Sequence, residues 1–381
     1  MNYRLLLLLL ISNYSFIQAQ NIQSQTTLPP LAIYRASWMV IGAGPAGISA
    51  VAALRDANVK PENIIWIDET FNVGALGQYY YNVTANSSRA TFLHLFNLSP
   101  HFKRYIRYAR DLQTHQYVDC TIQDVVAPLA QISNHFRRDV ANIQGYVEKL
   151  AYNNQTKVWV TELPAIRIEA RNVILATGSH PKKLVHDAPT AKQISLEVAL
   201  DIKKLQRILP LDSKGKNIVV FGSSHSAAHV LKNLIDLDQK NIIHVYKQPF
   251  RFKHKTRQGA RFPFSGLKGP IAAWTKEHLV ENEHPAVTQI SLDSTLLTRA
   301  LQNSWAIIDA VGFEANKIPV EAKDLYPMPK NTHELGPHLY GIGIAFPRET
   351  QDASGHKELA IGVLDFMKTI KEHLPHWLKA A

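Results

Sequence analysis

Val40-Ile41-Gly42-Ala43-Gly44-Pro45-Ala46-Gly47 decides how this chain folds. It is a complete G-x-G-x-x-G at the junction of an apolar strand and an Ala-rich helix. Gly42 permits the tight turn, and Gly44 lets backbone approach a pyrophosphate. Gly47 lets the helix pack close to the sheet, with its N-terminus facing the phosphates, and Pro45 and Ala46 complete the first turn. The next apolar strand, Ile64-Ile65-Trp66-Ile67, runs into Asp68-Glu69. That carboxylate pair stands where a ribose diol is bound; Glu69 is the first choice and Asp68 the second.

A second unit repeats the pattern. Val219-Val220-Phe221-Gly222-Ser223-Ser224-His225-Ser226-Ala227 reads G-x-S-x-x-A, with Ser224 and Ala227 in place of two glycines. Both substitutes are small, and the Ser224 and Ser226 hydroxyls add phosphate hydrogen bonds. Its second strand, Ile242 to Val245, ends at Tyr246-Lys247, with no acid. From Lys247 to Arg261 six side chains are Lys or Arg (Lys247, Arg251, Lys253, Lys255, Arg257, Arg261) and none is acidic. A cation there pairs with a ribose 2′-phosphate, which a carboxylate would repel, so NADPH is preferred over NADH. A solvated basic loop or a polyanion patch is the alternative; no recognised nucleic-acid fold supports nucleic acid as a partner.

Between the two units, Tyr146 to Leu150 and Lys157 to Thr161 alternate like a small meander, and Asn172 to Ala176 is an apolar strand. Later come strands at Ser304 to Ala310 and Leu339 to Ile344, then an amphipathic helix from Glu358 to His373. The second unit therefore reads as an insertion whose host domain closes near the carboxyl end.

The 381 residues predict two or three domains at about 150 residues each. With 46% hydrophobic and 19% charged residues, a disordered chain, a collagen-like repeat and a polytopic membrane protein are excluded. The net charge of +11 suits a basic enzyme with a phosphorylated cofactor. Cys120 is the single cysteine, which excludes an internal disulfide, a four-cysteine zinc site and a catalytic dithiol. At the amino terminus, Arg4, the apolar run Leu5 to Ile11 and Ala19 resemble a secretory signal over residues 1–19; a bilayer span needs roughly 18 apolar residues or more. Export to periplasm or medium follows if this leader is cleaved, and a cytoplasmic location otherwise. Residues 20–34 read as a linker.

Asn172-Val173-Ile174-Leu175-Ala176-Thr177-Gly178-Ser179 is similar to the crossing at which two-dinucleotide-binding-domain flavoproteins leave the FAD domain, and Asp309-Ala310-Val311-Gly312-Phe313 resembles their return crossing. The resemblance covers Trp38 to the carboxyl end. It implies an α/β protein of two Rossmann-like three-layer domains, the NAD(P) domain (211–303) inserted into an FAD domain (35–210 and 304–381). FAD is expected on Gly42 to Gly47 with Ala176, Thr177, Gly178 and Gly343, and NADPH on Gly222 to Ala227. The disulfide-reductase branch, which needs a cysteine pair, is excluded by composition.

Tyr81 to Arg89 is similar to the Asn-x-Ser-Lys segment of flavin-containing monooxygenases. The resemblance places Asn86 beside the reactive edge of the flavin, where an amide donates a hydrogen bond without yielding a proton; an Asx turn is the alternative role. Two departures stand out: Arg89 replaces the family's lysine, and Ile344 replaces the acid that reductases place after the last-strand glycine. The helix after Gly343 is expected to aim its N-terminus at the flavin.

The resulting expectation is an FAD- and NADPH-dependent oxidoreductase of monooxygenase type, passing electrons to oxygen or to a small organic acceptor near Tyr79, Tyr80 and Asn86. The alternatives are an oxidase or reductase without oxygen insertion, a flavin-bearing redox-sensing partner protein, and a flavin-free dehydrogenase. No histidine cluster has a third ligand at metal spacing, and no Gly-x-Ser-x-Gly elbow supports a hydrolase. Five N-x-Ser/Thr sequons (Asn13, Asn82, Asn86, Asn97, Asn154) read as coincidence, since a glycan on Asn86 would exclude flavin. Substrate and oligomeric state are not encoded in any motif.

Overall fold

The computed structural model describes residues 31–108, 121–210, 213, 215–252, 266–322, 333–351 and 357–380. The leader, Cys120, and the basic residues Lys253, Lys255, Arg257 and Arg261 lie outside them.

The first sheet is built around β1 (Ala32–Ile41), which begins inside the stretch read as linker. Its last four residues are fully apolar and buried, as a strand covered on both faces requires. β1 pairs in parallel with β2 (Ile64–Asp68), and β2 with β3 (Ala141–Gln144). On its other edge β1 pairs along its length with β6 (Ile166–Leu175). The far edge of β6 is shared. Its first half takes the antiparallel meander of β4 (Leu150–Asn153) and β5 (Val158–Leu163), and its last three residues pair in parallel with Leu339–Gly341. The meander thus starts at Leu150, not Tyr146, and Asn172 to Leu175 is the end of a ten-residue strand.

Helix α1 (Pro45–Asp56) follows β1, and ten of its twelve residues are buried. Alanine at four of its positions allows this close approach to the sheet. Its outer side meets the last helix, Val363–Ala380. That helix starts later and ends later than its pattern suggested, running past Pro375 because Trp377 is buried and stacks on Tyr340 at 4.3 Å. A hairpin of Arg348–Gln351 and Lys357–Ala360 separates Gly343 from this helix, so the helix does not follow directly on the last strand.

The second sheet is entirely parallel, in the order Val287–Ser291, Ile242–Tyr246, Asn217–Phe221, Ser304–Asp309, Lys192–Ile194. Ser304–Asp309 therefore belongs to the inserted lobe and not to the return segment. Both sheets lie within one chain order of host, insert and host, giving two Rossmann-type lobes. The two chain passages between them pair as a short ribbon, Ser179–Pro181 against Phe313–Ala315. Among the described residues no helix is long and apolar enough to cross a membrane.

Candidate functional site: two glycine turns

At the end of β1 the chain turns with φ +108° at Gly42, a conformation open to glycine. A Cβ on Gly42 would lie 2.3 Å from the Ala176 carbonyl oxygen, and one on Gly47 would lie 1.9 Å from the Gly42 oxygen. Backbone hydrogen bonds lock this geometry: Gly42 N–H to Ile67 O (2.8 Å), Ala176 N–H to Ile41 O (2.8 Å) and Ile342 N–H to Leu175 O (2.9 Å). Gly343, at φ +83°, presses on α1, where a Cβ would meet the Ala46 Cβ at 2.6 Å. Three chain passages, 42–47, 176–178 and 341–343, thus converge on the N-terminus of α1. No acidic side chain stands in its first turn, where the positive end of the helix dipole lies. This is a backbone cradle of the shape and sign that a dinucleotide pyrophosphate needs.

Asp68 is engaged by the protein itself. One carboxylate oxygen accepts from Ala43 N–H (2.7 Å), and the other accepts from Thr70 N–H (2.9 Å) and Phe71 N–H (2.6 Å). Glu69, the next residue, is exposed. These contacts separate the two acids: Asp68 pins the glycine turn, and the Glu69 side chain is exposed. Asp68→Ala, which removes three charge-assisted hydrogen bonds, is expected to destabilise the protein by about 3 kcal/mol. Thermal unfolding measures this; an unchanged melting temperature would show that the turn holds without the carboxylate.

The loop after Asp68 is strained. Phe71 (φ +53°) and Val73 (φ +54°) occupy the left-handed region, which is costly for aromatic and β-branched residues. The strain brings Gly74 against Gly44, where a Cβ on Gly74 would meet the Gly44 Cα at 2.9 Å. Gly74 and Val73 carried no recognisable sequence signal.

Asn86 is exposed, in the loop ahead of the Arg89–Asn97 helix, whose N-cap is Ser88. Arg89, at the family's lysine position, approaches Asp124 at 3.8 Å. Tyr79 is exposed, but Tyr80 is buried in the second lobe's core and packs edge-on against Phe313 at 6.1 Å. Burial pushes its phenol well above the ordinary tyrosine range. Tyr80 is therefore a packing residue rather than part of an acceptor site. Asn82, beside it, donates to Asp201 at 2.8 Å across the lobes.

The second turn repeats the first. Gly222 has φ +119°, its N–H donates to Val245 O (2.9 Å), and a Cβ there would lie 2.2 Å from Ala310 O. Ser224 caps the His225–Asp236 helix with its hydroxyl uncommitted to the backbone and exposed, Ser226 is half-buried, and Ala227 is buried. Lys247 stands exposed at the end of the second strand. Burial pushes the His225 imidazole down to about 4, and it accepts the Lys268 N–H at 3.1 Å.

One further correspondence was missed in the sequence. Trp66, inside β2, donates its indole N–H to Gly42 O at 2.8 Å, and His244, inside Ile242–Tyr246, meets Gly222 O at 2.6 Å. Aligning the two strand–turn–helix–strand units pairs these residues, and that alignment is the signal that would have found them. Among the described residues no cluster of His, Cys, Asp or Glu is arranged to hold a metal.

The family model for pyridine nucleotide-disulphide oxidoreductases matches residues 36–260, more than half of the chain. The chain belongs to this family. Its similarity extends to a curated relative, the monooxygenase AgnR1 of Paecilomyces divaricatus, 27% identical over 90% of this chain and 98% of that protein. Among solved structures, the ornithine N-hydroxylase of Kutzneria sp. 744 superposes with a TM-score of 0.62 at 11% identity, over 91% of this chain and 99% of that one. A flavin-containing monooxygenase from Stenotrophomonas maltophilia gives 0.59 at 12% identity, over 91% and 98%. The bacillithiol disulfide reductase of Staphylococcus aureus also gives 0.59, at 13% identity, over 91% and 98%. These likenesses establish the fold of a two-lobe flavoprotein oxidoreductase.

Proposed function

We propose that this oxidoreductase is an FAD- and NADPH-dependent monooxygenase acting on a small organic substrate. The observation that carries the reading is the pair of glycine turns with a single cysteine in the whole chain. The chain has two dinucleotide cradles but no dithiol to receive electrons, so its acceptor comes from solution. The similarity to a monooxygenase over nearly the full length of both chains supports the same choice.

The residues present fit both cofactors. Gly42, Gly44, Pro45, Ala46 and Gly47 form the turn that offers the N-terminus of α1 to a diphosphate, with no side chain on its three glycines. Glu69 binds the ribose hydroxyls, while Ala176, Thr177, Gly178 and Gly343 flank the remaining chain of FAD. Gly222, Ser224, Ser226 and Ala227 receive the NADPH diphosphate, and Lys247 pairs with its 2′-phosphate. When bound, FAD and NADPH supply hydride transfer and oxygen activation. Asn86 positions the reacting partners through an amide that donates and accepts without changing its charge.

Lys247→Glu is expected to reverse the nucleotide preference, lowering kcat/KM for NADPH by about 30-fold and sparing NADH, since a like charge replaces an ion pair. Steady-state rates with each nucleotide measure it; equal losses for both would remove Lys247 from the 2′-phosphate site.

The deciding experiment mixes the purified holoprotein with NADPH anaerobically and then admits air with candidate substrates. Bleaching of flavin absorbance followed by an oxygenated product supports the reading. Rapid oxidation giving only hydrogen peroxide with every substrate assigns an oxidase instead. Asn86→Ala is expected to raise the peroxide yield per NADPH about tenfold while leaving flavin bleaching unchanged.

A further inference from the structure

We infer that His244 is a positioning residue of the second dinucleotide site that takes up a proton when the dinucleotide's diphosphate binds. The inference rests on the proposed function, in that it requires a dinucleotide at the Gly222 turn.

The geometry points there because both partners of the ring are acceptors. Nε2 lies 2.6 Å from the Gly222 carbonyl oxygen. Nδ1 lies 3.1 Å from Oε1 of Gln289. The orientation of that amide is fixed in turn, since the Gln289 Nε2 donates to Leu279 O at 2.6 Å, and a carbonyl only accepts. A neutral imidazole has one N–H, so one ring nitrogen would present a lone pair to an oxygen in a fully buried site. An imidazolium satisfies both oxygens.

What the protein alone lacks is a counter-charge. The ring stacks on Phe250 at 5.0 Å and lies 5.6 Å from Tyr246, the one titratable side chain on its own strand. The neighbouring strands offer Gly222 and Gln289, which are uncharged. The adjacent helix carries four titratable groups: His225 and His229, each pushed down to about 4 by burial, and Lys232 and Asp236, which pair with each other. Burial lowers the proton affinity of His244 and its two hydrogen bonds oppose that, with no charged side chain among the described residues contributing. The positive end of the His225–Asp236 helix disfavours a cation further. A diphosphate at that helix N-terminus reverses the balance, because it places negative charge over the turn whose carbonyl His244 holds.

The sign follows from linkage. The ring's proton affinity is higher with nucleotide than without it, so the gain in binding is fully present below the free-state value. That value lies under the ordinary histidine range. The gain is lost as pH rises through the higher, nucleotide-bound value. The first site has no such dependence, since Trp66 makes the matching contact with an indole N–H that does not titrate.

Isothermal titration of NADP+ into the holoprotein at about pH 6.5, in two buffers of different ionisation enthalpy, tests this. Wild type is expected to take up about half a proton or more than Gln289→Leu, in which the neutral ring needs only one partner. The wild-type affinity is also expected to fall several-fold more than the variant's between about pH 6 and pH 8. Proton release by the ligand's own 2′-phosphate is common to both proteins and cancels. Ring 15N shifts of His244 in the wild type, assigned by loss of the signal in His244→Gln, read the same event without Gln289→Leu and should move to the imidazolium pattern on adding NADP+. Equal proton uptake in both proteins, or ring shifts that NADP+ leaves unmoved, overturns this inference while leaving the second site a dinucleotide site. Absence of NADP+ binding overturns both.

Discussion

Gly47→Ala is expected to yield protein with little or no flavin. The added methyl would sit 1.9 Å from the Gly42 oxygen and 2.8 Å from its carbonyl carbon, which are backbone atoms. They cannot retreat cheaply. The same oxygen accepts the Trp66 indole at 2.8 Å, and the Gly42 N–H is tied to Ile67. The helix must instead lift from the sheet, which opens the core against the buried Ile174 and Ala176. A cost of about 3 kcal/mol is expected, enough to weaken flavin binding on the order of 100-fold and to lower the melting temperature by several degrees. Visible absorbance per unit of folded protein measures the first effect and calorimetry the second. Full flavin content in the variant would place the cofactor elsewhere.

Gly222→Ala probes the other lobe and should give a different phenotype. Two penalties combine there: φ of +119°, and a Cβ 2.2 Å from the Ala310 oxygen. His244 fixes the Gly222 carbonyl and Val245 fixes its N–H, so the turn cannot rotate out of the clash. Flavin absorbance per folded molecule should stay at the wild-type level, while the KM for NADPH rises about 100-fold, equivalent to about 3 kcal/mol. Flavin titration beside steady-state kinetics separates this outcome from a general loss of folding. An unaffected KM would remove the second turn from nucleotide binding.

The contrast shows which parts of the molecule a sequence discloses. Gly42 and Gly222 are set by a local positive φ and Gly47 by the Gly42 oxygen five residues away, so the turns and the strands before them are legible in the sequence. Pairing between distant segments was not. Ser304–Asp309 looks as apolar as any returning strand, yet its partners are Asn217–Phe221 and Lys192–Ile194 in the inserted lobe. The amphipathic pattern ends the final helix at His373, whereas the buried Trp377 holds it past Pro375. The two adjacent acids could not be told apart by position; only the three N–H groups converging on Asp68 separate it from Glu69. Tyr80 was misplaced for the same reason, its exposure being set by a lobe more than a hundred residues away.

That tyrosine has a thermodynamic consequence. Its side chain belongs to the apolar cluster of the inserted lobe while its backbone belongs to the host, and Asn82 bonds Asp201 across the same boundary. Melting either half strips apolar cover from the other, so heat should be absorbed in one joint transition rather than two. An isolated 192–309 fragment would carry an open socket where Tyr80 belongs, and the host without it would expose an unmatched aromatic plug.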